Sequence, residues 1–332
     1  MRRHLLMTAS ALTASVLVLA GCGGAGSSGT EAPASSAAGA GCAPVAGETL
    51  VVLTDDKKLQ NTDNIVPAIN KKASSPQLLA ALDKVSAALD TTKLIELNKA
   101  VDIDRKSSKA AAQEFATANN LTAGIEKGPG GDITVGAANF SENATLGELY
   151  AIALTAAGYK VKVQQIGNRE LYEPALQKGD LDVVPEYAAT LATFLNGKIN
   201  GEGAPDPSSP ELETTMKNLI ALGEKSNLVF GTPSSAQDQN AFATTTAFAD
   251  KYGVKTLSDL AAKCSGAATV LGGPPECPQR PKCQGGLVST YDFKAGKFSS
   301  LDAGGPLTKT GLKQGTVSVG LVFSSDGALA AG

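Results

Sequence analysis

Apolar and polar positions along this 332-residue chain follow two rhythms, one of period two and one of period 3.6. Residues 49–53 form a short Val-rich run that predicts a strand, and a polar stretch, 54–64, follows it. Within 75–89, Leu78, Leu79, Leu82, Val85 and Leu89 recur at helical spacing. Two more helices are predicted over 91–101 and 107–119, opened by Thr91 and Ser107 as N-caps. The string Gly128-Pro129-Gly130-Gly131 then breaks the pattern. Beyond it come a strand at 133–136, a helix at 142–157, an alternating strand at 160–165, a helix at 170–177 and an apolar strand at 181–184. This βαβαβ order implies parallel strands with helices on their faces. A second set starts near Gln237: a strand, helices at 247–252 and 257–262, and strands near Ala268 and Val317. The Gly/Pro-rich interval 272–286 reads as a loop. Two α/β lobes with a ligand-accepting cleft between them follow from this pattern.

The N-terminus reads as an export signal. Arg2 and Arg3 precede a short apolar run at 5–19, and the string Leu19-Ala20-Gly21-Cys22 resembles the bacterial lipobox, in which the cysteine is acylated and the chain is cut before it. The run is too short to be a comfortable membrane span. Residues 23–45 are rich in Gly, Ser and Ala and cannot bury enough apolar surface to fold, so a flexible tether is expected there. The expected product is extracytoplasmic and held to the outer face of the cell membrane through Cys22.

Composition narrows the chemistry. The net charge is −3 and no basic run appears, which argues against a nucleic-acid partner. The sole histidine, His4, lies in the signal, so Ser-His-Asp, Cys-His and His-ligated metal sites are excluded from the mature chain. No carboxylate pair stands in a setting that suggests catalysis, and neither enzyme activity, cofactor nor metal is expected. After Cys22 four cysteines remain, Cys42, Cys264, Cys277 and Cys283, an even number suited to two disulfides in an exported protein. Three pairings are open. The compact loop containing Pro278, Arg280 and Pro281 favours Cys277 with Cys283, leaving Cys42 for Cys264.

Several strings resemble the osmoprotectant-binding proteins, which deliver glycine betaine, choline, carnitine or proline betaine to ABC importers. They are ITVGAANFSENATLGELYAIALTAAGYKV from Ile133, Gly167-Asn168-Arg169-Glu170, LDVVPEYAATLATFL from Leu181, KYGVKTLSDLA from Lys251, ECPQRP from Glu276, and the stretch from Leu301 to Gly327. The resemblance implies a monomeric two-lobe, type II periplasmic-binding-protein fold with a mixed sheet in each lobe, a small polar solute as ligand and permease subunits as partners. A solute sensor or partner-binding lipoprotein that reuses the fold without transport is the alternative. The order of the strings is unusual. LVVLTDDKKLQNTDNIVPAIN resembles the family's C-terminal part, yet here it precedes the rest, so a circular permutation joined through residues 122–132 is expected. One lobe is then 65–234 and the other 46–64 with 235–332, hinged near Asp63-Asn64 and Ser234-Ser235.

The same resemblance implies site residues. Family sites cage a quaternary ammonium with tyrosines and grip the carboxylate with basic and hydroxyl groups. Tyr187 matches a cage tyrosine, Thr190 the carboxylate-binding threonine, Arg280 the family arginine and Asp238 a position that meets the cation. The chain departs from the pattern at Ala138, where the family has lysine beside Asn139, and at Asn240, Phe323 and Asp63, where it has tyrosines. With fewer ring faces, weak binding of glycine betaine itself is expected. Read alone, Asp63 is equally a solvated turn residue and Phe323 a core residue. Arg280 could serve as a prop for the disulfide loop, and Asn139 and Ser141 as caps of the following helix.

Overall fold

In the computed structural model, residues 39–201 and 203–331 are described. Cys22, the signal and most of the expected tether lie outside them. The chain forms β1 (Leu50–Val52), β2 (Ile65–Asn70), α1 (Pro76–Ala88), α2 (Thr91–Asp102), α3 (Ser108–Ala118), β3 (Asp132–Ala137), α4 (Ser141–Ala156), β4 (Lys160–Gln165), α5 (Arg169–Lys178), β5 (Val183–Tyr187), α6 (Ala188–Asn200), α7 (Leu212–Lys225) and β6 (Leu228–Phe230). There follow β7 (Asn240–Thr245), α8 (Thr246–Tyr252), α9 (Leu257–Cys264), β8 (Gly266–Gly273), α10 (Gln284–Tyr291), β9 (Ala295–Ser300), α11 (Pro306–Lys313) and β10 (Val319–Phe323).

These strands make two five-stranded sheets, ordered β4-β3-β5-β2-β6 and β1-β7-β10-β8-β9, so the expected two-lobe α/β architecture is what the chain adopts. In the first sheet β3 is parallel to β4 and to β5, as the βαβαβ pattern predicts, but β2 runs antiparallel to both β5 and β6. The sheet is therefore mixed, because β2 comes from outside the β3-to-β5 run and enters from the opposite end. Leu78, Leu82 and Val85 of α1 pack with Leu146, Leu149 and Tyr150 of α4 on one face of it. Leu176 of α5, Leu191 and Leu195 of α6 and Leu219 of α7 form the other. Burying both faces explains why β2 and β5 read as continuous apolar runs.

Local chemistry accounts for the boundaries, with some corrections. Ser75 and Ser107 cap α1 and α3, but α2 is capped by Asp90, whose Oδ1 accepts from the Lys93 N–H at 2.8 Å. Thr91 instead accepts from the Gln237 N–H at 3.1 Å and so holds a segment that links the two sheets. Strand β5 lies two residues later than 181–184 predicts and runs into α6 without a loop. Helices α6, α7, α10 and α11 and strands β2, β6 and β9 have no counterpart in the sequence pattern, and α10 begins inside the expected loop.

The expected tether does not extend to residue 45. Ala40 bridges to Gly266, the Cys42 N–H donates to Thr269 Oγ1 at 2.7 Å, and Cys42 is bonded to Cys264. Gly41 has φ +71°, and a Cβ there would stand 2.7 Å from the Gly266 carbonyl carbon, so glycine is required at this approach. Cys277 is bonded to Cys283.

Two segments join the sheets, and they pair with each other. Ile65 donates to the Ala236 carbonyl at 3.1 Å and Asp238 to the Asp63 carbonyl at 3.1 Å, while Asn64 bridges to Gln237. A third contact comes from the turn after β10. Gly327 lies so close to α2 that a Cβ would meet the Lys99 nitrogen at 2.5 Å, and Asn98 Nδ2 donates to the Ser325 carbonyl at 2.8 Å.

Candidate functional site

A cavity of about 620 Å3 opens where the two linking segments meet the ends of β5, β7 and β10. Its wall contains Asp63, Ala138, Asn139, Tyr187, Thr190, Asp238, Asn240 and Phe323. Arg280 stands apart from them. Its guanidinium is exposed and pairs with Glu276 at 3.1 Å on the outside of the disulfide loop. The cation that lines the cavity is Lys282, two residues later and directly before Cys283. Residues 281–283 form a turn between Arg280 and α10, and the turn rather than the local sequence decides which of the two side chains faces the cavity.

Lys282 is held in place. Its Nζ donates to the Leu59 carbonyl and to Asn61 Oδ1, both at 2.8 Å. Its own carbonyl accepts from Gln60 Nε2 at 3.0 Å and from Asn240 Nδ2 at 3.3 Å. Burial lowers its pKa, with Asp206 and Asp55 acting in the opposite sense.

Asp63 is neither a solvated turn residue nor a gap in a ring of tyrosines. It is 5 % exposed, and its Oδ1 accepts from the Ala189 N–H at 2.8 Å and from the Thr190 N–H at 3.2 Å. Helix α6 follows Tyr187, which supplies no side-chain cap, so the Asp63 carboxyl performs that task from another part of the chain. Burial pushes its pKa up to about 7, against the Thr190 N–H, Arg169 and the Ala189 N–H. Asn139 and Ser141 do not cap α4. Phe140 occupies the N-cap, and the Asn139 N–H donates to the Gly167 carbonyl at 3.1 Å.

Arg169 lies in the Gly167-Asn168-Arg169-Glu170 string at the first turn of α5. Its Nε reaches Glu186 Oε1 at 3.0 Å and its Nη2 reaches Oε2 at 2.7 Å, a bidentate pair, and Nη2 also donates to Thr190 Oγ1 at 3.0 Å. The Glu186 side chain is buried and also accepts from Tyr172 OH at 2.9 Å. Burial opposes the charge on Arg169, but Glu186 outweighs it and the pKa rises. The hydroxyl of Thr190 is thus oriented by Arg169.

Behind Tyr187 lies a polar cluster that spans both sheets. Tyr187 OH donates to Glu142 Oε1 at 2.6 Å, and Asn98 Nδ2 donates to Glu142 Oε2 at 2.5 Å. Ser325 Oγ donates to Asp238 Oδ1 at 2.8 Å. Burial drives the pKa of both Glu142 and Asp238 upward, and the nearby Glu142 charge raises that of Asp238 further. Burial also raises the Tyr187 hydroxyl, and the Glu142 charge adds to the effect. Tyr187 stacks with Phe140 at 6.2 Å between centroids and 29° between planes. Phe140 and Phe323 are 44 % and 37 % exposed, and both present ring surface to the cavity.

A family profile describing the substrate-binding domain of the ABC-type glycine betaine transport system, OpuAC, matches residues 45–118 and 131–331. The chain belongs to this family. Among curated relatives, the glycine betaine-binding protein YehZ of Escherichia coli (strain K12) is 25 % identical over 206 residues, which span 60 % of this chain and 66 % of that protein. The match thus covers a little under two thirds of that relative's length. Among solved structures, a glycine betaine/carnitine/choline ABC transporter is similar with a TM-score of 0.45 at 21 % identity, over 60 % of this chain and 71 % of that one. The unliganded open form of MppA, a periplasmic murein tripeptide binding protein, is similar with a TM-score of 0.25 at 10 % identity, over 56 % and 44 %.

Phe140, Arg169 and Lys282 line the cavity and Glu142 lies behind it, although similarity of the strings assigned none of the four to the site. Arg169 carried a legible signal, since a charged residue following a Gly-Asn turn at a helix start is poised to leave the helix surface. Phe140 and Glu142 lie inside the longest matching string, but their direction depends on where α4 begins. Among the described residues no group of three or more His, Cys, Asp or Glu side chains could hold a metal ion, and no helix is long and apolar enough to cross a membrane.

Proposed function

We propose that this chain is an extracytoplasmic, lipid-anchored solute-binding protein that captures a small polar solute, betaine-like or another small metabolite, for the permease of an ABC importer. The observation that carries this reading is the cavity itself. In a chain of the substrate-binding family, ring surface from Tyr187, Phe140 and Phe323 meets hydrogen-bonding groups of opposite character, Asp63 and Asp238 against Lys282 and Arg169. Stripping a polar solute of water requires directed contacts to replace those it loses, and this wall offers both donors and acceptors. A chain of this kind binds and releases its solute.

The unusual order of the chain supports a circular permutation. The family match falls into two blocks that break at 119–130, beside the Gly128-Pro129-Gly130-Gly131 string. Leu329 packs with Leu50 and Val52 of β1, so the end of the described chain lies beside its first strand. A chain in which the segment after β10 leads directly into β1 needs that proximity.

A thermal-shift panel tests both points. A cognate solute at about 100 times its Kd stabilises the folded state by about 2.7 kcal/mol, and betaines, choline, carnitine, polyols and amino acids are the compounds to screen. The reordered chain, starting at residue 131 with residue 331 joined to residue 39 through a flexible linker so that the Cys42–Cys264 bond is kept, is expected to melt cooperatively and to respond to the same solute. No response to any solute would remove the binding reading, and a reordered chain that fails to fold would remove the permutation.

Anchoring is read from the lipobox-like string around Cys22. Replacing Cys22→Ser is expected to move the protein from the membrane fraction to the medium or leave it unprocessed. Membrane-bound, processed product in that variant would contradict the anchor.

A further inference from the structure

We propose that the ligand of this cleft is a cation that keeps its N–H bonds, a protonated primary or secondary amine, bound against Asp238 with Asn240 and Asp63 around it. The inference rests on reading this cavity as the solute site. It concerns the chemistry of the cationic end of the ligand.

Charge balance is the first observation. Asp63, 5 % exposed, and the half-buried Asp238 line the cavity from the two linking segments, and Glu142 of α4, also 5 % exposed, lies behind Tyr187. Among the described residues none of the three forms an ion pair. The nearest guanidinium, Arg169, is spent on Glu186. Lys282 donates to Leu59 and Asn61. Burial raises the pKa of all three carboxyls, as expected where no side-chain cation compensates them. A cationic ligand would supply the missing partner charge.

Hydrogen-bonding capacity is the second observation, and it separates two kinds of cation. Asp238 uses Oδ1 for Ser325 Oγ, and Asp63 uses Oδ1 for the two N–H groups of α6. Asn240 donates from Nδ2 to the Lys282 carbonyl, which leaves its Oδ1 as an acceptor at the cavity wall. Asp238, Asp63 and Asn240 thus present acceptor oxygens at the cavity wall. A quaternary ammonium has no N–H to give, and on burial it would leave them unmatched. A primary or secondary ammonium satisfies them with charge-assisted hydrogen bonds. The rings are consistent with this division: Tyr187 and Phe140 stack on each other, so part of each face is already covered.

The test is a methylation series measured by calorimetry on the whole mature protein. Glycine, N-methylglycine, N,N-dimethylglycine and glycine betaine form one arm, and ethanolamine through its N-methyl derivatives to choline forms the other. Affinity is expected to fall at least tenfold from the primary amine to the quaternary member of the arm that binds. Asp238→Asn, with Glu142→Gln as a second variant in case the first folds poorly, is expected to weaken the primary amine at least tenfold more than it weakens the quaternary compound. Affinity that rises with methylation, or a silent response in both arms, overturns the proposal. If the thermal-shift panel returns a tight ligand lacking an N–H cation, this inference fails while solute binding stands. If the panel returns nothing, solute binding fails first.

Discussion

Replacing Arg169→Ala lowers the stability of the fold by about 3–5 kcal/mol and abolishes high-affinity ligand capture. The side chain of Glu186 is 1 % exposed, and its two oxygens take three of their hydrogen bonds from Arg169. Removing the guanidinium leaves a carboxylate in the protein interior with only Tyr172 OH and the Tyr187 N–H as partners. Breaking one side of such a pair costs far more than exchanging both sides, because the remaining charge cannot be solvated. Arg169→Met with Glu186→Gln is therefore expected to recover most of the stability lost in the single variant. It should not recover binding, since Thr190 loses the donor that fixes its hydroxyl. Urea denaturation of the three proteins measures this. A single variant within 1 kcal/mol of the parent would show that the pair does not hold the end of β5.

Removing the Cys42–Cys264 bond by Cys42→Ser and Cys264→Ser costs about 4–5 kcal/mol, whereas removing Cys277–Cys283 costs about 2 kcal/mol. The bonds close loops of very different length, with sequence separations of 222 and 6 residues, and the entropy a cross-link removes from the unfolded chain grows with that length. The long closure also pins residues 39–45 to the second sheet, where the Cys42 backbone engages Thr269 and Ser318. The short closure has a different consequence. It fixes the backbone beside Lys282, so its loss is expected to lower ligand affinity more than stability. Guanidinium unfolding of the two double-serine variants, each compared with its ligand Kd, decides the matter. Equal stability losses would mean that strain or residual structure in the unfolded chain outweighs loop closure.

Elements with strong periodicity were legible in the chain. Strand β4 falls on the predicted residues, and α1 and α3 start at the serines that cap them, because alternation and capping are properties of neighbouring residues. Strand β2 was not legible. Its IVPAIN run is buried on both faces, so it shows no alternation, and Pro67 argues against a strand interior. Helices α6 and α7 bury one face against β5 and β6, and short windows of Ala, Thr and Leu there do not distinguish helix from loop. The site was partly legible for the same reason. Motif similarity picks out which segments meet, and Tyr187, Thr190, Asp238 and Phe323 do meet at the cavity. The direction of a side chain within a loop is another matter, as Arg280 and Lys282 show.

By itself the sequence determined the fold class, the family and the broad solute-binding chemistry. Each of these is carried by patterns that many residues share, so single departures do not erase them. Tertiary structure alone decided the identity of the charged groups at the site. Asp63 caps a helix that begins 125 residues later in the chain, as its bonds to Ala189 and Thr190 show. Glu142 and Asp238 become interacting buried carboxyls with raised pKa values only when α4 and a linking segment are brought together. The physical reason is one of range. Hydrophobic periodicity acts between neighbours on one element, whereas burial, desolvation and charge pairing are set by whatever the fold places within a few ångströms.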